Sequence, residues 1–214
     1  MKKVFNVLKK KELYSGYLYF YIHFIVEIVC FFYLSRVSTS LVVWLVPFLY
    51  DAFAFVPQSI IGYINDKYSK LKSSYIGVVL LFIGILIFSF TSLSRFISLF
   101  IICFGNAFLH VSGAETTLRN SKGLLSPAAI FVSGGSFGVI TGRLLAKSFI
   151  PAWSMLPIIL TMIPFIILAE QMTSMDNECN KFNYVKKSIN PLLVIIIAVF
   201  VVIIRGYMGY GIPT

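Results

Sequence analysis

The feature that most constrains this chain is a series of apolar runs, each long enough to cross a bilayer. A transmembrane helix needs about 20 predominantly apolar residues, and seven such runs follow one another along the 214 residues. They lie at Gly16–Leu34, Leu41–Ile64, Ser74–Phe90, Phe96–Ala114, Ala128–Leu145, Ala152–Ala169 and Ile189–Tyr207. No remaining stretch is long enough for a sizeable soluble domain, so we expect an all-α, multi-pass membrane protein.

The composition excludes a water-soluble globular domain. Only 12% of the residues are charged and the mean hydropathy is +0.90, whereas roughly a quarter of the residues of soluble domains are charged. Cys30 and Cys103 lie inside apolar runs and Cys179 lies in a polar segment. Their spacing predicts neither a disulfide framework nor a metal site.

The placement of the charges predicts the orientation in the membrane. The net charge is +10, but the basic residues form short clusters between apolar runs, which is a topology signal and does not indicate a nucleic-acid surface. If the spans alternate, thirteen basic residues fall on one side: Lys2, Lys3, Lys9, Lys10, Lys11, Lys67, Lys70, Lys72, Arg119, Lys122, Lys181, Lys186 and Lys187. The other side receives only Arg36, Arg95 and Lys147. This bias predicts a cytoplasmic N-terminus in the plasma (inner) membrane.

The same pattern predicts four regions. A basic cytoplasmic tail at 1–15 precedes a six-helix bundle at 16–169, and a cytoplasmic central loop follows at 170–188. The segment at 189–214 is expected to hold the seventh helix and the end of the chain.

The turn between the second and third spans carries a distinctive motif. It has Gly62, then Asp66 four residues later, then Lys67 and Lys70. Gly62 is expected to allow close helix approach, while Asp66 ends the span with a carboxylate. A generic positive-inside loop explains the lysines but not the glycine and aspartate. The motif resembles the signature loop of the major facilitator superfamily.

Three further segments are similar to the fosmidomycin-resistance branch of that superfamily: Tyr50–Gln58, Gly105–His110 and Phe131–Gly142. Members of this branch are proton-driven exporters of small molecules, with twelve helices in two six-helix bundles. The resemblance implies that this chain corresponds to the first bundle, the central loop and helix seven of a drug-efflux antiporter. The alternative is a truncated or split product that folds but transports nothing without a complementary C-terminal half.

Four positions depart from these patterns. Ser69 and Leu71 stand where the signature loop usually has glycine and a basic residue. Val111 follows His110, and Arg143 follows Gly142, where the branch usually has proline in both places. The departure at Arg143 weakens any transfer of the antiporter signature of helix five.

Polar residues inside the spans are the candidate functional groups. Glu27 and Asp51 lie about halfway along the first two spans, and His23 precedes Glu27 by one helical turn. Asn106 and His110 are paired in the same way on the fourth span. Charged groups in a span usually face a cavity or a partner. Two carboxylates in one low-dielectric cavity are expected to hold at least one proton, which the resemblance implies is exchanged for substrate.

Structural roles for these residues stay open at this stage. Glu27 either neutralises Arg143 and holds helices one and five together, or binds a proton or substrate. His23 and His110 are equally compatible with simple interhelical hydrogen bonds.

The glycines of the fifth span recur every four residues. Gly134, Gly138 and Gly142 form one smooth helix face that lets a neighbouring helix approach closely. Static packing and sliding during alternating access predict the same glycines.

Catalytic motifs are lacking in the sequence. It contains no nucleophile-elbow context, no phosphate-binding glycine loop and no zinc-type spacing of His and Cys. We therefore expect no enzyme activity, no cofactor and no metal. The expected partners are the lipid bilayer, a small-molecule substrate and protons.

The charge bias makes a topological prediction. A reporter fused after Lys187 is expected to be cytoplasmic, and one fused after Thr214 external, because one further span separates these positions. Paired alkaline phosphatase and green fluorescent protein fusions measure this. Cytoplasmic signals from both fusion sites would exclude the seventh span.

Overall fold

The computed structural model describes residues 11–37, 45–68, 72–90 and 95–175. The predicted seventh span, Lys70 and most of the predicted central loop lie outside these residues. All the regular elements described are helical: α1 (Tyr14–Val37), α2 (Leu45–Lys67), α3 (Ser73–Phe90), α4 (Arg95–Asn120), α5 (Ser126–Lys147), α6 (Met155–Leu160) and α7 (Met162–Met175). Short 3-10 turns at Lys11–Leu13 and Ala152–Ser154 precede α1 and α6.

Within the described residues, six helical segments are long and apolar enough to cross a membrane, as expected of a multi-pass membrane protein. They correspond to α1 through α5 and to a sixth span, Ala152–Met172, that includes α6 and most of α7. The first six predicted spans are confirmed in number and order. The helices extend beyond several of the predicted spans: α4 continues past Ala114 to Asn120, and α7 continues past Ala169 to Met175. An ion pair between Glu115 and Arg119, one turn apart, supports the extra turns of α4.

The sixth span is interrupted at Thr161, between α6 and α7. Pro164 has no backbone N–H to donate to the carbonyl four residues earlier, so the helical ladder is broken there. The Thr161 hydroxyl donates to the Ile158 carbonyl at 2.6 Å and accepts from the Tyr21 hydroxyl at 2.8 Å. The break thus ties the sixth span to α1.

The spans alternate in direction, which their contact registers show. On α2 and α4, Tyr50 contacts Asn106 and Asn65 contacts Glu115, so these helices run parallel. On α3 and α4 the order is reversed, because a Cβ on Gly77 would meet Leu109 and one on Gly84 would meet Ile102. We call the end that carries Lys67, Lys72, Arg119 and Lys122 the basic end.

Helix α1 is the most buried span of the bundle. In its most apolar window 72% of the residues are buried, against at most 56% for the other spans. A helix that is apolar on all sides is expected to be surrounded by other elements. Helices α4, α5 and α7 pack around it.

Helices α1 and α5 pack backbone against backbone. A Cβ on Gly142 would lie 2.5 Å from the Ile28 carbonyl oxygen of α1. One turn earlier, a Cβ on Gly138 would collide with the Phe24 carbonyl oxygen, and two turns earlier a Cβ on Gly134 would collide with that of Phe20. The close approach predicted from the glycine repeat is therefore confirmed.

Gly62, the glycine of the predicted signature turn, has a different environment from the three glycines of α5. A Cβ on Gly62 would meet no atom within 4 Å. Among the described residues no neighbour lies close to Gly62, so the close helix approach predicted for it is not seen there and stays a prediction.

These two environments give a matched pair of variants. Gly138→Ala is expected to cost about 1–3 kcal/mol of unfolding free energy, because the added methyl group collides with backbone. Gly62→Ala is expected to be neutral or slightly stabilising, since alanine favours helix and the space is open. Unfolding of the purified chain in mixed detergent micelles measures both. Equal stability of the two variants would contradict the backbone contact of α1 with α5.

Candidate functional site

Three ionisable side chains from α1 and α4 meet near the middle of their helices. Glu27 Oε1 lies 3.6 Å from His23 Nε2 and 3.4 Å from His110 Nε2. The two imidazole rings are nearly perpendicular, at 83°, with centroids 4.4 Å apart. We call His23, Glu27 and His110 the His–Glu cluster. Its geometry confirms that His23 and Glu27 share one face of α1.

Backbone carbonyl groups orient both imidazole rings. His23 Nδ1 lies 2.9 Å from the Phe131 carbonyl oxygen, and His110 Nδ1 lies 3.1 Å from the Asn106 carbonyl oxygen. A carbonyl oxygen only accepts hydrogen bonds, so each Nδ1 carries the hydrogen. In a neutral ring of this tautomer, Nε2 has a lone pair. Both lone pairs are then directed toward the carboxylate.

This arrangement calls for a cation. Two imidazole lone pairs facing a carboxylate oxygen repel it, and the repulsion is strong in a low-dielectric interior. A proton on one of the facing atoms, or a metal ion between them, removes the conflict. The cluster therefore has donor atoms that either a proton or a metal ion could bridge.

The surrounding residues bury most of the cluster. Glu27 is 4% exposed and His23 is 8% exposed, while His110 is half-buried. A Cβ on Gly135 would lie 2.5 Å from His23 Cε1 and Nε2, so glycine is needed there to make room for the ring. A pocket adjoins the two histidines, and its lining residues are Ile22, His23, Val26, Leu109, His110 and Phe131.

A buried polar chain continues from the cluster away from the basic end. The Asn106 side chain donates to the Tyr50 hydroxyl and lies 3.5 Å from Cys30 Sγ. Cys103 Sγ lies 3.7 Å from the Tyr50 carbonyl oxygen. Asn106, a predicted site residue, therefore supports His110 through its carbonyl and links α4 to α1 and α2 through its amide.

A hydroxyl group cluster lies on the other side, one turn nearer the basic end. The Tyr19 and Ser112 hydroxyl oxygens are 3.2 Å apart, and those of Ser74 and Ser112 are 2.5 Å apart. Tyr19 precedes His23 by one turn of α1. Polar groups therefore extend along the inner faces of α1 and α4 on both sides of the His–Glu cluster.

Asp51 lies at a different depth from Glu27. It follows Tyr50, whose carbonyl is level with Cys103, and Cys103 precedes His110 by two turns of α4, about 10 Å. Glu27 contacts His110 directly. The geometry therefore does not support the expected sharing of one cavity by the two carboxylates.

Arg143 lies beside the aromatic face of α1. Its guanidinium carbon is 5.3 Å from the centroid of the Phe31 ring, one turn beyond Glu27. The pairing of Arg143 with Glu27 stays a prediction, while the ion pairs described for Glu27 are with His23 and His110.

A polar network joins α2, α3 and α4 at the basic end. The Ser73 hydroxyl donates to Asn65 Oδ1 at 2.5 Å, and Asn65 Nδ2 donates to Glu115 Oε2 at 3.2 Å. Arg119 completes the network, with a 2.6 Å bond to Glu115 Oε1. Asn65 is 6% exposed, so this amide holds the three helices together from inside.

Sequence reasoning selected the neighbouring residues and missed Asn65. Asp66 and Lys67 are exposed, and the Lys67 ammonium lies 5.5 Å from the centroid of the Tyr68 ring. The signal was available in the sequence, because Asn65 follows Ile61 by four residues and continues the buried face of α2.

The expected absence of a metal stays a prediction. The structure brings together three side chains that could hold a metal ion, His23, Glu27 and His110, which local spacing in the sequence did not reveal. His110 is remote in sequence from the other two, so only the packing of α4 against α1 brings the three together.

No family model matches the chain, and neither a curated protein nor a solved structure matches it. The family resemblance therefore stays a prediction, and the function is argued from the site.

The network at the basic end makes a prediction about stability. Asn65→Ala is expected to cost about 1–3 kcal/mol, because Ser73 and Glu115 lose a buried partner. Asp66→Asn is expected to leave stability unchanged, since the side chain is exposed. Thermal unfolding in detergent compares the variants. A larger loss for Asp66→Asn would show that the buried network is assigned to the wrong residue.

Proposed function

We propose that the chain is the N-terminal bundle of a major-facilitator-type secondary active transporter that exports a small molecule and is driven by a proton gradient. The observation that carries this proposal is the His–Glu cluster, enclosed by α1, α4 and α5 near the middle of the spans. Ionisable groups inside a span are costly and mark ion or substrate pathways. A purely structural contact between helices needs only neutral hydrogen-bonding groups.

Two features of the bundle support movement around this site. Helices α1 and α5 meet along a face without side chains, where small shifts break few interlocking contacts. The sixth span is broken at Thr161 and bonded there to α1. Discontinuous helices near a midplane site are common in secondary transporters.

We assign the proton-coupling role to Asp51, following the resemblance of Tyr50–Gln58 to proton-driven exporters. Asp51 is a half-buried carboxylate within α2, outside the His–Glu cluster. Its neutral form is less costly in a span than its charged form. Loading and release of a proton at Asp51 would therefore bias the bundle between two arrangements.

A second candidate function is that of a half-transporter. The His–Glu cluster is not closed on all sides, because 15% of the His110 side chain is exposed beside the pocket. Midplane sites of such transporters form between two halves. In this case the bundle folds alone but transports only when a complementary C-terminal bundle covers the site.

Efflux from energised membrane vesicles tests the proposal. Vesicles carrying the chain are loaded with a fluorescent lipophilic cation, and a proton gradient is imposed. Asp51→Asn and Glu27→Gln are each expected to lower gradient-driven efflux by about tenfold or more, a loss of roughly 1.4 kcal/mol. Glu12→Gln is the matched control, because Glu12 lies outside the spans and contacts Lys122 at 4.0 Å.

The outcomes separate the candidates. Equal efflux by all variants would contradict a role for either intramembrane carboxylate. Efflux that requires co-expression of a C-terminal six-helix bundle would establish the half-transporter.

A further inference from the structure

We infer that the His–Glu cluster is a binding site for a divalent transition-metal ion of the Zn²⁺ type, with His23, Glu27 and His110 as ligands. The inference concerns binding by the bundle itself. It therefore holds or fails independently of the proposed transport function.

The separations of the ligand atoms suit such an ion. Tetrahedral Zn²⁺ has bonds of about 2.0–2.2 Å to nitrogen and oxygen, which places its ligand atoms about 3.3–3.5 Å apart. Glu27 Oε1 lies 3.4 Å and 3.6 Å from the two Nε2 atoms. One ligand atom from each of the three residues lies within 4.8 Å of the other two. Two of the three separations match this geometry, and binding requires the two imidazole nitrogens to lie equally close to each other.

The second layer of contacts has the form that metal sites need. A ligating histidine usually donates its other ring N–H to a carbonyl or carboxylate, which fixes the ring and directs the free nitrogen at the metal. The Phe131 and Asn106 carbonyl groups do this for His23 and His110. Gly135 makes room for the His23 ring, because a side chain there would collide with Cε1 and Nε2. The Glu27 carboxylate supplies negative charge to offset the charge of the ion.

The donor set selects the class of metal. Mg²⁺ and Ca²⁺ prefer oxygen ligands, whereas two imidazole nitrogens favour Zn²⁺, Cu²⁺ or Ni²⁺. Three protein ligands leave one tetrahedral position open. A gap lined by Val26, Leu109 and Phe131 adjoins both histidines but has no room for a water molecule, so a fourth ligand enters only if these side chains move.

A proton is the rival occupant, because it also removes the repulsion between the facing lone pairs and the carboxylate. The two occupants differ in a direct way. Only a metal ion takes all three side chains as ligands at once, and only a metal ion gives a coordination spectrum.

Cobalt binding to the purified full chain tests the inference. Co²⁺ replaces Zn²⁺ at tetrahedral sites and has intense visible absorption bands in that geometry. The chain has 2 histidines, both in the cluster, so a tag without histidine leaves imidazole coordination assignable to this site. We expect one Co²⁺ per chain with a tetrahedral spectrum, displaced by Zn²⁺.

Ligand variants and a control complete the test. Glu27→Gln and His110→Gln are each expected to weaken Co²⁺ binding by at least about tenfold. Loss of a group that only hydrogen-bonds a metal ligand already lowers metal affinity by about that factor. Glu12→Gln is expected to bind Co²⁺ as the wild type does. Two ligand variants are used because replacement of the buried Glu27 could by itself disturb folding, whereas His110 is only partly buried. Size-exclusion chromatography identifies the folded protein, and Co²⁺ affinity is compared on that fraction.

Three results would overturn the inference. These are no saturable Co²⁺ binding, unchanged affinity in the folded ligand variants, and a sulfur charge-transfer band that assigns the ion to cysteine. The first result would leave the proton as the occupant of the site.

Discussion

The backbone contact between α1 and α5 is the interaction on which the rest of the structure depends. Because Gly134, Gly138 and Gly142 present no side chains, α5 lies directly against the carbonyl oxygens of α1. The same contact brings the Phe131 carbonyl within 2.9 Å of His23 and places Gly135 beside its ring. The orientation of His23, and through it the whole His–Glu cluster, is therefore a consequence of glycine packing.

Helix α4 supplies the other half of the site. It holds His110 against Glu27 and uses the Asn106 carbonyl to fix the ring. Toward the basic end, α4 also carries Glu115, which is bonded to Asn65 and Arg119. One continuous helix therefore carries both His110 of the cluster and Glu115 of the network that joins α2, α3 and α4.

The apolar runs predicted the described helices well, since span length and hydropathy are local properties. The glycine repeat of α5 was also readable, because it follows from the helical period. The environment of Gly62 could not be predicted from the sequence, because close approach depends on which helix lies opposite. The missed residue Asn65 shows the same limit: its burial follows the helical period, but its bonds to Ser73 and Glu115 depend on the packing of three helices.

The candidate site was likewise predictable from the sequence only in part. The pairing of His23 with Glu27 follows from their spacing on one helix. The approach of His110, and the separation in depth of Asp51 from Glu27, depend on the axial register of α4 and α2, which local sequence does not specify. A cluster built across two helices is therefore invisible to motif searches for metal ligands.

The central claim is that both histidines of the chain meet at one buried carboxylate. Solid-state NMR of the chain in lipid bilayers, with ¹⁵N,¹³C-labelled histidine as the only labelled residue, measures this directly. The account predicts exactly two imidazole spin systems, each with a protonated Nδ1, and a through-space correlation between the two rings, whose centroids are 4.4 Å apart. Two uncorrelated rings with the averaged signals of exposed imidazoles would contradict it.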